Sequence, residues 1–355
     1  MCICVAAASA KSLPVQIFTS ADGLGSSFIN HLMRDSRGFL WFATRDGLSR
    51  FDGLRFVTYQ VGKKDAPPGI ENSFETSKGI YWIVTTGGLY RYDPSSVAVK
   101  APDQNSGKPI LNAEYINDWR GSFYEDHDGR IWFVGTRGLS VLEEKEGRVL
   151  FHEVELNVPK RPAIFGIADF RQARDGSFWI VTTAGIMRRL PDGREIYYGI
   201  ENTRTDLFGS VLEDDSGRIW LTRSSGIYVF KPEALSELQQ LGRLTVHTLD
   251  ALVQSKTSAQ PLMPEKAGAL FKFTGLEGFV KGATEYLYKS ADGHVWMSTG
   301  EGVIEFDGKT FHSHTSEKGF AGLNARMVED LDGNLWLGGN RNLVRFNRKG
   351  LTTYD

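Results

Sequence analysis

Few side chains in this 355-residue sequence are spaced for catalysis or metal binding. His312 and His314 lie two apart, so on a strand they would share one face. No carboxylate or thiol cluster accompanies them, and no metal is expected. The acidic stretches Asp126-His127-Asp128-Gly129 and Asp214-Asp215-Ser216-Gly217 are too short to offer Ca²⁺ its six or more oxygens. They read as hairpin turns. Glu143, Glu144 and Glu146 form the densest acid cluster, but Lys145 and Gly147 beside them mark a solvated hairpin tip. There is no Gly-x-Ser-x-Gly elbow and no phosphate loop of Walker type. Neither a catalytic residue nor a cofactor is expected. What recurs instead is a polar turn. It carries Arg45 and Asp46, Thr86, Arg137, Thr183, Arg223 and Ser224, Glu301, and Arg341. Gathered together, these would suit an anionic or hydroxyl-rich ligand.

The elements that would gather them come from a repeated frame. Trp41, Trp82, Trp132, Trp179, Trp220, Trp296 and Trp336 each have Gly three residues before, from Gly38 to Gly333. Six residues after stands Gly47, Gly88, Gly138, Gly185, Gly226, Gly302 and finally Asn342. Asn tolerates the left-handed region best among non-Gly residues, so a shared backbone conformation is expected there. Only Trp119 of the eight Trp lies outside the frame. Each anchor is flanked by apolar residues, such as Leu40 and Phe42 or Ile219 and Leu221. Three apolar residues in a row mean a strand covered on both faces, since neighbours on a strand point opposite ways. Small sheets wedged between neighbours around an axis provide two dry faces. The frame therefore predicts an all-β, seven-bladed propeller of four-stranded antiparallel blades. Asp-x-x-Gly closes the hairpin into the Trp strand, with Gly supplying positive φ. The polar turns join the second strand to the third, so they gather around the axis on one face.

Formal net charge is −2, from 41 basic and 43 acidic residues, which argues against a nucleic-acid partner. No run of 18 apolar residues exists to span a membrane. Residues 1–10, MCICVAAASA, read as the remnant of a secretory signal, and hold both cysteines, Cys2 and Cys4. Residues 14–355 read as one propeller. Pro14 to Asp22 and the terminal LTTYD both resemble an outer strand, so which one closes the ring stays open. The interval between Trp220 and Trp296 is the longest and implies an insertion over about 231–284. An eighth, decayed blade is the alternative. Within the insertion, Pro232 to Leu241 has helical spacing. Leu244 to Leu249 is assigned as the fourth strand of blade 5. The rest, with Leu270, Phe271, Phe273 and Phe279, is expected either to fold over the axial mouth, helping enclose a ligand or partner domain, or merely to pack on the rim.

The motifs DSRGFLWFATRDGLSRFDG and GIYWIVTTGGLYRYD closely resemble the two-component regulator propeller repeat. Arg189 and Leu190, then Gly339 and Asn342, depart from its pattern. The resemblance implies the periplasmic or extracytoplasmic sensor region of a histidine kinase, hybrid kinase or diguanylate cyclase, without the catalytic part. It implies a small-molecule or oligosaccharide ligand, a membrane signalling domain in cis or in trans, and as a possibility a homodimer through the parent receptor. Two other readings stay open: a propeller lyase or hydrolase acting on carbohydrate or a cyclic peptide, and a scaffold for protein partners. An enzyme would bring a His, Tyr or acid pair together in the mouth.

Overall fold

The computed structural model describes residues 15–63, 66–95, 108–135, 138–158, 166–183, 185–199, 208–223, 226–231, 244–248, 253–255, 270–273, 286–299, 302–315 and 326–348. Seven sheets form a seven-bladed β-propeller, each built on four antiparallel strands. In blade 1 these are Ile29–Arg34, Leu40–Thr44, Gly47–Phe51 and Phe56–Val61, counted from the axis outward. The inner strands of blades 2 to 7 are Ile70–Glu75, Gly121–Glu125, Ile167–Gln172, Phe208–Glu213, Leu287–Lys289 and Arg326–Glu329.

The apolar triplets do what their pattern requires. Strands Leu40–Thr44, Tyr81–Thr85, Phe178–Thr182, Ile219–Arg223 and Val295–Thr299 are buried at every residue. Each anchor Trp makes a ring contact with the next blade. Trp41 meets Tyr81, Trp82 meets Phe123, Trp132 meets Phe178, and Trp179 meets Phe230. Trp220 meets Phe306 and Trp296 meets Phe346, and Trp336 closes the circle on Phe42 of blade 1. Trp119 instead packs on Phe133 and Phe151 within blade 3.

In five blades the residue six before the Trp accepts its indole N–H. Asp126, Asp214 and Asp330 accept the indole N–H of their own Trp at 2.8 Å, and Asp35 does so at 2.9 Å. The same carboxylates accept turn amides, for example from Arg37 and Phe39 to Asp35. Burial opposes ionisation of Asp126, yet the Trp132 indole and Arg130 hold its carboxyl below the ordinary value. In blade 4 the position is Ala173, and the buried Trp179 indole nitrogen has no hydrogen-bond partner.

One residue earlier, at the end of each inner strand, sits a clasp on the preceding blade. Glu75, Glu125, Gln172, Glu213 and Glu329 accept the amides of Ser36, Ser77, His127, Arg174 and Ala291. Lys289 clasps the Asp215 carboxylate, and Arg34 donates to the Glu329 and Asp330 carbonyls. All seven joints between blades are bridged in this way on the hairpin face.

Ring closure falls to the N-terminal strand. Val15–Phe18 pairs antiparallel with Leu343–Phe346 as the outer strand of blade 7, and LTTYD lies outside the described residues.

Two expectations about the long interval are corrected. Leu244–Thr248 is not the fourth strand of blade 5, because it pairs in parallel with Glu195–Gly199 on the edge of blade 4. The fourth strand of blade 5 is Leu270–Phe273, antiparallel to Gly226–Phe230, with Val253–Ser255 added in parallel outside it. A parallel pair needs a crossover of about a dozen residues, which the stretch before Leu244 is long enough to supply. Leu270, Phe271 and Phe273 therefore belong to the outer rim of blade 5 rather than to a lid. Phe279 and the helical reading of Pro232 to Leu241 lie outside the described residues. Ile110–Leu111 similarly adds a fifth strand to blade 1.

Asn342 is also corrected, since the one positive-φ non-Gly residue among those described is Glu146. Elsewhere in the series Gly47, Gly88, Gly138, Gly185 and Gly226 do take positive φ, and at Gly47 crowding adds to the demand, since a Cβ there would lie 2.6 Å from the Tyr59 carbonyl oxygen of the outer strand. In blade 7 the outer strand ends at Phe18, opposite Leu343, and turns away into the 3₁₀ turn Ser20–Asp22. No outer-strand pairing extends to Asn342, so a side chain fits.

Candidate functional site

Every blade contributes its inner strand to one chamber of about 200 Å³ on the axis. The contributing residue has a fixed address, ten before the anchor Trp. In blade order it is His31, Asn72, Ser122, Asp169, Ser210, Tyr286 and Arg326. All seven are polar, whereas the positions two strands outward are apolar.

Backbone irregularity sets several of these side chains. The inner strands of blades 1, 2, 4 and 5 each shift register against their second strand, between Ile29 and His31, Ile70 and Asn72, Ile167 and Asp169, and Phe208 and Val211. A bulge of this kind adds a residue to one strand and re-aims side chains, as happens beside binding sites.

The electrostatics of the chamber are uneven. The Asp169 carboxylate is fully engaged. One oxygen lies 3.3 Å from the Arg171 guanidinium, and the other accepts from Ser210 Oγ at 2.7 Å and the Val211 amide at 3.0 Å. Arg326 lies over the Tyr286 ring, 4.6 Å from its centroid, and no carboxylate among the described residues pairs with it. The His31 ring borders the chamber deep inside the ring of blades, and its Nδ1 is buried without a hydrogen-bond partner. Burial, followed by the positive charges of Arg326 and Arg171, pushes its pKa down to about 3. With His31 neutral, Arg171 and Asp169 cancel and Arg326 remains as the uncompensated charge.

The polar turns lie at the second-to-third strand corners, and their roles differ. Arg45 covers the Phe28 ring at 3.6 Å. Asp46 pairs with Lys108 at 2.6 Å. The amides of Thr86 and Thr183 bond the carbonyls of Gly69 and Gly166, tying each turn to the chain entering its own blade. Arg223 is buried and donates to the Tyr228 hydroxyl at 2.9 Å. Arg341 is exposed. Arg137, Ser224 and Glu301 lie outside the described residues.

A larger groove of about 750 Å³ opens between blades 6 and 7 on the hairpin face. Its charges pair among themselves. His294 and His314 flank Glu305 at 2.6 and 3.2 Å, and Arg348 bridges Asp292 and Glu329. Burial works against the Glu305 charge, but the two imidazoles hold its carboxyl below the usual range. His312 bonds Asp307 at 2.9 Å. Among the described residues, no group of three or more His, Cys, Asp or Glu is arranged to hold a metal ion.

Residues 23–46 match the family model described as two component regulator propeller. A 49-residue stretch is 43% identical to histidine kinase P4 of Formosa agariphila, covering 14% of this chain and 4% of that protein. Among solved structures, the chain resembles one described as the extracellular domain of a hybrid two component system, BT3049 of B. thetaiotaomicron. The TM-score is 0.66 at 18% identity, over 95% of this chain and 41% of that one. Virginiamycin B lyase from Staphylococcus aureus matches with a TM-score of 0.60 at 11% identity, over 93% of this chain and 98% of the lyase. At such identities both likenesses are of fold. The chain thus spans under half the length of the hybrid-system domain and a small part of the kinase. No helix among the described residues is long and apolar enough to cross a membrane.

Proposed function

We propose that this chain is the extracytoplasmic ligand-sensing propeller of a two-component-type signal transduction receptor, with the axial chamber as its ligand site and no catalytic part of its own. The observation that carries this reading is the repeat, matched at residues 23–46 and restated in every blade around the chamber. The fold shared with an extracellular domain of a hybrid system agrees with it. The partners on this reading are a small-molecule or oligosaccharide ligand and a membrane signalling domain in cis or in trans.

The chamber does bring His31, Tyr286, Tyr288 and Asp169 together, as an enzyme would, but their state speaks against the lyase or hydrolase alternative. A general base works best with a pKa near the operating pH. His31, pushed down to about 3, is a weak base at neutral pH, and Asp169 is committed to Arg171, Ser210 and Val211. Ser122→Trp would fill the chamber from blade 3. In the receptor carrying this propeller, it is expected to abolish ligand-dependent output while the purified variant keeps its β circular dichroism. An unchanged output from a folded variant would overturn the assignment of the site. Turnover of ATP or a polysaccharide by the purified chain, lost on a point substitution within it, would overturn the non-catalytic reading.

A further inference from the structure

Resting on the chamber as the ligand site, we infer that its ligand presents an oxyanion, a carboxylate, phosphate or sulfate group, anchored by Arg326.

The argument is one of charge balance in the axial chamber. Seven inner strands bring two guanidinium groups and one carboxylate to the chamber. The carboxylate of Asp169 takes Arg171 and has its remaining acceptor capacity filled by Ser210 and the Val211 amide. Among the described residues Arg326 is left with the Tyr286 face, a contact that orients a guanidinium without neutralising it. A planar guanidinium held this way offers paired N–H donors that match a carboxylate or phosphate, and such charge-assisted bonds are roughly twice as strong as neutral ones.

The neighbours of Arg326 around the circle, Tyr286 of blade 6 and His31 of blade 1, bring no negative charge. Asn72, Ser122 and Ser210 can serve only as neutral partners for the rest of a ligand. A cation would meet the uncompensated charge of Arg326, whereas an anion relieves it.

His31 reports on this occupancy. Its proton is disfavoured by burial and by Arg326 and Arg171; among the described residues Asp169 is the carboxylate that lines the chamber with it. An anion placed between these groups screens both arginines, so His31 takes up a proton more readily. By linkage, anion affinity then rises as pH falls through the anion-bound pKa of His31, which lies above its anion-free value of about 3.

The test is calorimetry on the purified chain with inorganic phosphate, acetate and D-glucuronate, and D-glucose as the neutral control. Binding of at least one anion but not of D-glucose is expected. Tighter binding of glucuronate than acetate would mark a hydroxylated acid as the natural class; equal binding would mark a simple anion. Arg326→Gln should weaken the interaction at least about tenfold, the loss of a charge-assisted bond. Arg326→Lys should retain part of it. The His31 imidazole resonances should titrate at higher pH with the anion present.

Binding of D-glucose with equal affinity, no binding by any anion, or full binding in a folded Arg326→Gln chain would each overturn the inference. The measurement is separate from receptor output. Anions that bind and leave output unchanged would sustain the oxyanion site and overturn its sensing role.

Discussion

Two rings of residues run around this propeller, and they are built on opposite logics. On the hairpin face, the positions six and seven before the Trp repeat one chemistry in most blades: a short polar acceptor for the indole and a long polar side chain for the preceding blade. On the axis, the position ten before each Trp shows six residue types across seven blades. Equivalent joints place the same demand on every copy, so the first ring repeats. A ligand on the axis faces all seven strands at once, and each can answer a different part of it. Repetition marks the scaffold here, and variation marks the proposed site.

Substitutions can break or sharpen that contrast. The largest effect belongs to the anchors. Trp220→Ala, at a side chain with no exposed surface, is expected to cost about 3–5 kcal/mol in urea unfolding. A cost under about 1 kcal/mol would mean the blades are not held by these rings.

Next come the indole acceptors, which blade 4 lets one test in both directions. Asp214→Ala strands the Trp220 N–H and the amides of Ser216 and Arg218, and should cost about 2–3 kcal/mol. Ala173→Asp offers the orphaned Trp179 N–H the acceptor that its counterparts possess, and should stabilise by about 1 kcal/mol. Destabilisation by Ala173→Asp would show that blade 4 has repacked around its apolar residue.

The axial ring should announce itself through pH. His31 has a folded pKa of about 3 against an ordinary 6.5, so the unfolded chain binds more protons between those values. Its contribution is complete above 6.5 and is lost as pH falls, at up to about 1.4 kcal/mol per pH unit. His31→Gln should flatten the stability profile between pH 6.5 and about 5, above the range of the carboxylates. An unchanged slope in that window would remove His31 from the account.

The smallest effects separate the two rings most directly. Glu125→Ala removes the clasp on the Ser77 amide and hydroxyl, with an expected cost of about 1 kcal/mol. Ser122→Ala, three residues earlier on the same strand, should stay within about 0.5 kcal/mol in thermal unfolding. Equal costs would erase the division between scaffold and site.

Much of the fold was legible from the chain, and the site was legible at an address that was not read. The polar second-to-third strand turns stood out because they follow Gly-marked corners. Several of them serve packing, as Arg45 does on Phe28 and Arg223 on Tyr228. The −10 series carries no common residue type, so it shows no motif until the anchors are aligned and that column is inspected for polarity. Even then, bulges beside His31, Asn72 and Asp169 alter the simple alternation expected of a strand.

By itself the sequence determined the number of blades, the burial of the seven Trp and the hairpin turns, because each depends on contacts within one copy or with an identical neighbour. Tertiary structure alone decided which terminal segment closes the ring, which segment completes blade 5, and which charge on the axis lacks a partner. Strand edges accept any extended segment that reaches them, so Leu244–Thr248 and Leu270–Phe273 cannot be assigned by composition. Charge balance is likewise a property of the assembled ring. Asp169 and Arg326 come from blades 4 and 7, and only their arrangement around a common chamber leaves one neutralised neighbour and one open cation.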